Sequence, residues 1–504
     1  MGQGTALGVG MGLTGGGAWA AQPVEMKNQE KADDPKHPDW SDWEFYFPGI
    51  YDAQDTKILK EFQAQLAIIN NNNRNIDIDD LVKGKLEGKP GISEPKKITA
   101  EEMKTNADRY VGDIPLFTDR NYARKTLYGD LIAYPLVKTS GAMPAMPKSD
   151  GFGDYMVITS HNDTTSYYKP FYEGDTLYTV IDNQHCIDIT PEEGSYYRTF
   201  NMSGTCRIYN QKGELVAEGA NTLKESFRRY KGPAKRNPDG AHRWESPDWW
   251  LHPVHKYTDE DWEYIISIWK NEKVRGAEPL YWDDVEIGDE PTPVATGPGV
   301  TLEGAALRGN PPQWSYDIRK NVLDPKTFSK MVKNKQGVYI LPEYLKPLET
   351  IEKSGFPGEI ANRDWRATYE NSVVPKMTTR MIYNWMGDEG WLQRIGWDMM
   401  EIPPGSTKSI SYEDYPTMIP AIPKKNRPVL FDKYPYMDKV PYMRGCRAAW
   451  HGLQNDLVIS RGYVTDKYKK DSEYFVDLTW WAETIDRYLI EEGFATVKLP
   501  KKSF

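Results

Sequence analysis

The chain has 504 residues, of which 39% are hydrophobic and 27% charged, and its formal net charge is −10. That length suggests two to four domains with ordinary globular burial. The acidic balance excludes a chain organised around a basic nucleic-acid-binding face.

Residues 2–20 are rich in Gly and uncharged, ending in Ala18-Trp19-Ala20. No Lys or Arg precedes this stretch and glycines interrupt it, so it is a poor secretory signal and too broken for a transmembrane helix. It reads as an extended arm lying on the body or on a neighbouring subunit, which points to a homo-oligomer or a hetero-complex. Residues 1–98 are taken together as an N-terminal arm and extension. Within them, Ile58, Leu59, Phe62, Leu66 and Ile69 are spaced as one face of a helix over 55–69. Thr99 and Glu102 make a capping box for a second helix running to about Tyr110.

From Tyr155 the pattern changes to strands. Residues 167–171, 176–182, 196–209 and 215–223 are rich in β-branched and aromatic side chains, with turns such as Gln211-Lys212-Gly213 between them. A Pro, Gly and Trp linker follows over 231–256. Thr258 and Asp261 cap another helix that carries Trp262, Ile265, Ile266 and Trp269 on one face. Residues 395–445 hold many prolines and tyrosines and read as a long excursion. Residues 457–465, 474–481 and 494–499 are strand-like again. The expected divisions are 1–98, 99–235, a linker and helix over 236–280, and 281–504 with the insertion.

The two halves close alike. Asp175 precedes a strand in the first and Asp456 in the second, 281 positions apart. Gly219 and Gly493, in the last strand of each half, are 274 apart. A nearly constant offset suggests an ancient duplication. A helix followed by antiparallel strands, twice, is an α+β arrangement.

Several stretches resemble the MaoC-like acyl-CoA hydratase/dehydratase family, in particular its long members with two fused hot-dog units. Arg109-Tyr110-Val111-Gly112-Asp113, Pro115-Leu116-Phe117-Thr118-Asp119, Tyr122-Ala123-Arg124-Lys125 and Tyr128-Gly129-Asp130 are similar to the hydratase segment. Lys169–Thr176 and Tyr209–Ala217 resemble the strand start and closing hairpin of the same unit. Arg275-Gly276-Ala277-Glu278 is similar to the family's inter-domain boundary, and Gly297-Pro298-Gly299 and Asn384-Trp385-Met386-Gly387-Asp388 also match. The resemblance covers about residues 100–230 and 257–504.

The resemblance implies a double hot-dog: two long helices, each wrapped by an antiparallel sheet, with a CoA thioester running between the halves. It implies addition or removal of water at the β-carbon of an enoyl-CoA, with CoA entering as part of the substrate and no other cofactor. The 17 Trp and 32 Tyr point to a bulky or aromatic acyl group, since such rings line deep apolar pockets or fill interfaces. Hydration needs a base for water, an acid for the α-carbon and donors for the developing enolate oxygen. Asp113 matches the family's Asp, but Phe117 stands where its His is expected, and Phe accepts no proton. The competing role for Asp113 is to cap a helix or pair with Arg109 or Arg124.

In the second half, Asn310 lies in a stretch similar to the family's Asn-Pro turn. Asn362-Arg363-Asp364-Trp365 occupies the region of its His-Trp-Asp signature. There Arg363 replaces the His and stays charged, able to hold a carboxylate or the thioester oxygen. Asp364 is a further candidate base and Tyr369 a polar anchor, against the plainer reading of Arg363 and Asp364 as a surface ion pair. Asn384 and His451 are candidate substrate contacts. His252 and His255 are three apart without a third ligand, so no metal site is expected. The cysteines Cys186, Cys206 and Cys446 form no C-x-x-C pair, which argues against zinc and disulfides and for a cytoplasmic compartment. Two alternatives stand beside the hydratase. One is the same fold with other CoA-thioester lyase or C–C hydrolase chemistry; the other is a non-catalytic acyl-CoA-binding subunit.

Overall fold

A computed structural model describes residues 44–46, 53–135, 156–188, 198–227, 229–231, 255–298, 318–334, 336–343, 374–400, 456–487 and 489–502. The strands are β1 (Glu44–Tyr46), β2 (Lys96–Lys97), β3 (Met156–Tyr167), β4 (Thr176–Asp188), β5 (Arg198–Tyr209), β6 (Leu215–Phe227) and β7 (Arg229–Lys231) in the first half. In the second they are β8 (Val294–Thr296), β9 (Val332–Lys333), β10 (Tyr339–Ile340), β11 (Trp391–Met400), β12 (Val458–Lys470), β13 (Glu473–Glu483) and β14 (Leu489–Lys498). The helices used below are α1 (Ala53–Arg74), α2 (Ile78–Val82), α3 (Ala100–Asn106), α4 (Pro115–Thr118), α5 (Arg120–Ala123), α6 (Asp259–Asn271), α7 (Ile318–Leu323), α8 (Pro325–Phe328) and α9 (Val374–Met386).

Ten strands form one antiparallel sheet in the order β2-β4-β5-β6-β3-β11-β14-β13-β12-β8. Numbered within its own half, each unit reads first, third, fourth, fifth, second from its outer edge to the middle. The halves therefore share one topology and join through their second strands, β3 and β11, paired from Arg394↔Ser166 to Met400↔Ser160. Asp175 and Asp456 precede equivalent strands, and Gly219 and Gly493 lie in equivalent ones, as the constant offset predicts.

The helix α9 packs against β8, β11, β12 and β13. Met377, Met381, Ile382 and Met386 are buried on it, as are Thr378, Thr379, Arg380, Tyr383 and Asn384, so this helix is enclosed on all sides, as a helix wrapped by a sheet must be. It stops at Gly387, whose φ of 71° suits the left-handed cap and whose N–H donates to Tyr383 O at 3.1 Å. A helix followed by a wrapping antiparallel sheet is the hot-dog unit, and the repeated strand order makes the α+β architecture a double hot-dog.

In the first half, α3 is capped by the Thr99 side chain, which accepts from Glu102 N–H. It continues as a π turn over Ala107–Val111. Met103, Ala107, Tyr110, Val111, Leu116 and Phe117 from this segment join residues of both halves in one core cluster. The strand expected over 167–171 is displaced: β3 occupies Met156–Tyr167, and residues 168–171 lie beyond its end. β3 ends at Tyr167 because Lys169 leads into Pro170, which lacks an N–H for the ladder. β11 runs into the span read as an excursion, because Ile395 and Trp397 are buried in the shared core.

The predicted helix over 55–69 is α1, and it docks on β4 through side-chain amides as well as apolar contact. Asn70 Nδ2 donates to Gln184 O at 2.8 Å and its Oδ1 accepts from Gln184 N at 2.6 Å. The Thr258/Asp261 capping box is present, and Trp262, Ile265, Ile268 and Trp269 bury in a second cluster with Leu457 and Ile459.

Candidate functional site

Three of the resemblance-bearing blocks meet at α9. Arg275 Nε donates to Trp385 O at 2.7 Å, Arg275 N–H to Asn384 O at 3.1 Å, and Asp388 N–H to Gly276 O at 2.9 Å. The approach is close enough that a Cβ on Gly387 would sit 2.9 Å from Glu278 O and 3.0 Å from Gly276 O. From the first half, Tyr122 donates its hydroxyl to Asp388 Oδ2 at 2.5 Å. Burial pushes the Tyr122 hydroxyl up to about 12, with the Asp388 hydrogen bond acting in the same direction. Burial also raises the Asp388 carboxyl, the Tyr122 bond opposing it.

One turn back along α9 lies a charged cluster. Glu272, just past α6, has a side chain only 2% exposed. Its Oε1 is 3.1 Å from Arg380 Nε and accepts from Asn384 Nδ2 at 2.9 Å. Its Oε2 is 3.7 Å from Arg319 Nε of α7. Arg380 also donates to Ala295 O at 2.9 Å. Arg319 in turn reaches Asp113 Oδ2 at 3.2 Å. Gly112 leaves room for this: a Cβ there would lie 3.2 Å from Arg380 Cδ and 3.5 Å from Arg319 Nη1.

The structure therefore places Asp113 and Asn384, both expected from the sequence, at one cluster. Asp113 does not cap a helix, and its described partner is Arg319 and not Arg124; the Arg109 side chain lies outside the described residues. At 58% exposure its carboxylate is open to solvent, with one oxygen set beside a cation. Asn384 is buried, and its Oδ1 has no partner, leaving an acceptor beside the cluster. Phe117, at the expected His position, is core: its ring meets Tyr134 at 5.2 Å and Tyr383 at 4.9 Å, both edge-on. Asp364, Arg363, Tyr369, Asn310 and His451 lie outside the described residues.

Glu272, Arg319 and Arg380 were not singled out from the sequence. One signal pointed to Arg380: it shares the helical stripe of Met377, Met381 and Asn384, where a charge must find a buried partner. Beside the α4–α5 segment a cavity of about 430 Å³ is lined by Lys97, Thr99, Arg120, Asp130, Tyr172 and Glu173. Arg120 there is held by Asp130 and Glu173. His255, weighed as a metal ligand, instead bridges Asp486 at 2.7 Å and Asp261 at 2.9 Å. Among the described residues no group of three or more His, Cys, Asp or Glu is placed to hold a metal ion, and no helix is long and apolar enough to cross a membrane.

No family model matches the chain, and no curated protein sequence does. Among solved structures it is similar to a MaoC domain protein dehydratase from Chloroflexus aurantiacus, with 11% identity and a TM-score of 0.39, covering 82% of this chain and 94% of that one. It is similar to a MaoC-like dehydratase at 14% identity and a TM-score of 0.40, covering 83% and 100%. It also resembles a conserved hypothetical protein of Mycobacterium tuberculosis, described as having a double hot-dog fold, at 9% identity and a TM-score of 0.38, covering 84% and 98%. It is the shared strand order and α9 that make this fold a double hot-dog.

Proposed function

We propose that the chain is a hydratase/dehydratase that adds or removes water at the β-carbon of an enoyl-CoA thioester carrying a bulky or aromatic acyl group. The observation that carries this reading is the Asp113 carboxylate: open to solvent, fixed by Arg319, and set where the hydratase-like segment meets the Asn384–Asp388 block. A single carboxylate is sufficient for the proton transfers in principle. Asp113 takes a proton from the attacking water as oxygen bonds to the β-carbon, then returns it to the α-carbon. Negative charge developing on the thioester oxygen needs nearby donors, and Arg319 and Arg380 are the cations closest to hand. The resemblance adds Asp364 as a further base, Arg363 and Tyr369 as polar anchors, and Asn310 and His451 as substrate contacts. On this reading the chain is a cytoplasmic homo-oligomer that takes CoA in with its substrate.

The test is turnover against short-chain, long-chain and aryl enoyl-CoA and 3-hydroxyacyl-CoA thioesters, with products read by mass spectrometry. A water adduct, or its loss, supports the proposal. A cleavage product points to other lyase or hydrolase chemistry. No conversion of any member sinks the enzymatic reading.

One observation favours a second reading. Phe117 is locked between Tyr134 and Tyr383, so half of the family's proton relay has become core. A non-catalytic acyl-CoA-binding subunit would show tight binding by calorimetry with no turnover.

A further inference from the structure

The sheet carries a second polar group at the seam, away from the Asp113 cluster. Register sets Asn221 of β6 beside Asp163 of β3, and Asp163 beside Trp397 of β11. Directly opposed residues share a face of the sheet, so the three side chains form one row. They are 2%, 1% and 5% exposed respectively. Asp163 Oδ2, both polar atoms of the Asn221 amide and Trp397 Nε1 have no hydrogen-bond partner. Buried polar atoms are ordinarily paired, because leaving them unmet is costly. Four atoms in one row that no described residue meets mark a place completed by a further polar group.

One end of the row has small neighbours: Gly204 stands opposite Asn221 and Gly219 opposite Thr165. At the other end Gly493, opposite Trp397, is covered by the Trp480 ring. Burial pushes the Asp163 carboxyl up to about 8, with only a backbone hydrogen bond at Thr164 opposing and no cation acting on it. At neutral pH Asp163 is therefore an uncharged acid with one donor and spare acceptors. Asn221 offers both kinds of group, and the Trp397 indole only donates. The complementary group is neutral and must both donate and accept, as a hydroxyl does. A carboxylate ligand would want a cation that this row lacks.

The row borders the packed core that also reaches the candidate site. Thr165 and Tyr167 lie on the same face of β3 as Asp163, and Tyr167 belongs to the core cluster that holds Tyr134, Tyr383 and Trp397. Four residues of strand separate Asp163 from Tyr167, about 13 Å. Tyr134 lies beside Thr379 and Arg380 of α9, next to Glu272.

We propose that Asp163, Asn221 and Trp397 form a subsite for a hydroxyl group carried far along the acyl chain, making the substrate class hydroxylated acyl-CoA. This rests on the CoA-thioester reading above. An ordered water has the same hydrogen-bonding chemistry, and the experiment separates the two.

Binding to the full-length protein is measured by calorimetry for unbranched and aryl-bearing acyl-CoAs from short to long, each with and without a terminal hydroxyl. The proposal expects one chain length at which the hydroxyl tightens binding about tenfold, the effect of roughly one well-made hydrogen bond. Asn221→Leu and Asp163→Leu should abolish that gain and leave the Kd of the unsubstituted chain unchanged. If either fails to fold, Trp397→Phe gives the same readout. Equal binding of hydroxylated and plain chains at every length overturns the subsite while the CoA reading stands. A crystal structure in which a water keeps the row's hydrogen bonds with the hydroxylated ligand bound also overturns it. If no acyl-CoA binds, both readings fall together.

Discussion

Asp113, from the turn after α3, and Arg319, on α7 of the other half, meet at 3.2 Å and join the two units at the candidate site. The pair is asymmetric: the carboxylate is 58% exposed and the guanidinium 11%. An exposed carboxylate held by a buried cation is fixed in position without being removed from solvent.

Asp113→Asn keeps the shape and removes the proton acceptor. Turnover of an enoyl-CoA should fall by about 10²–10⁴, the usual contribution of a general base. The melting temperature should hardly change, since ion pairs open to water contribute little to stability. A large drop in Tm with unchanged turnover would reverse the assignment.

Glu272 is the only described carboxylate that contacts both Arg319 and Arg380, and its side chain is almost fully buried. Glu272→Gln should destabilise the fold by about 3–5 kcal/mol, because it leaves buried cations uncompensated. Adding Arg380→Met should recover part of that loss. Urea unfolding of the two single variants and the double variant measures the coupling, and strict additivity would mean that the pair does not interact.

The sequence pattern was informative about elements and poor at pairing charges. Thr258 with Asp261, the apolar spacing in α1 and the offsets of Asp175 and Gly219 are local signals, and the structure carries each of them. Asp113 and Asn384 were also visible, as parts of recognisable blocks. Glu272 and Arg319 were not. Glu272 sits between Asn271 and Lys273, and Arg319 beside Lys320, where charge normally means solvent. Only the fold, which brings Glu272 beyond α6 to Arg319 of α7 and Arg380 of α9, makes them a buried set. The excursion after β11 was placed too early for a related reason. Trp391, Ile395 and Trp397 belong to a strand whose alternation is broken between Leu392 and Arg394, which hides a period of two.

His255 gives a pH dependence of stability. Its imidazole loses some affinity for a proton through burial, but hydrogen bonds to Asp486 and Asp261 outweigh this and hold it at about 9. The folded value is thus raised above the ordinary 6.5. The stabilisation is fully present below pH 6.5 and is lost as pH rises towards 9. Tm should decline across that window, and His255→Gln should flatten the decline. An unchanged slope in the variant would remove His255 as the cause.

Gly493 is required by close approach and not by its φ. A Cβ there would lie 2.2 Å from Gly396 O and 2.2 Å from the Trp480 ring. Gly493→Ala should cost about 1–3 kcal/mol through overpacking, measured as a shift in the denaturant midpoint. A midpoint unchanged within error would show that β11 and β14 can separate to admit a methyl group.

The outward rims of the great sheet are stubs: β2 has two residues and β8 three. The long strands β3 and β11 would each be a bare ribbon if its half stood alone, and bare ribbons recruit other chains. Fusion turns that hazard inward, each half serving as the other's sealant. Severed at the linker and expressed separately, the halves should either find each other in solution or aggregate.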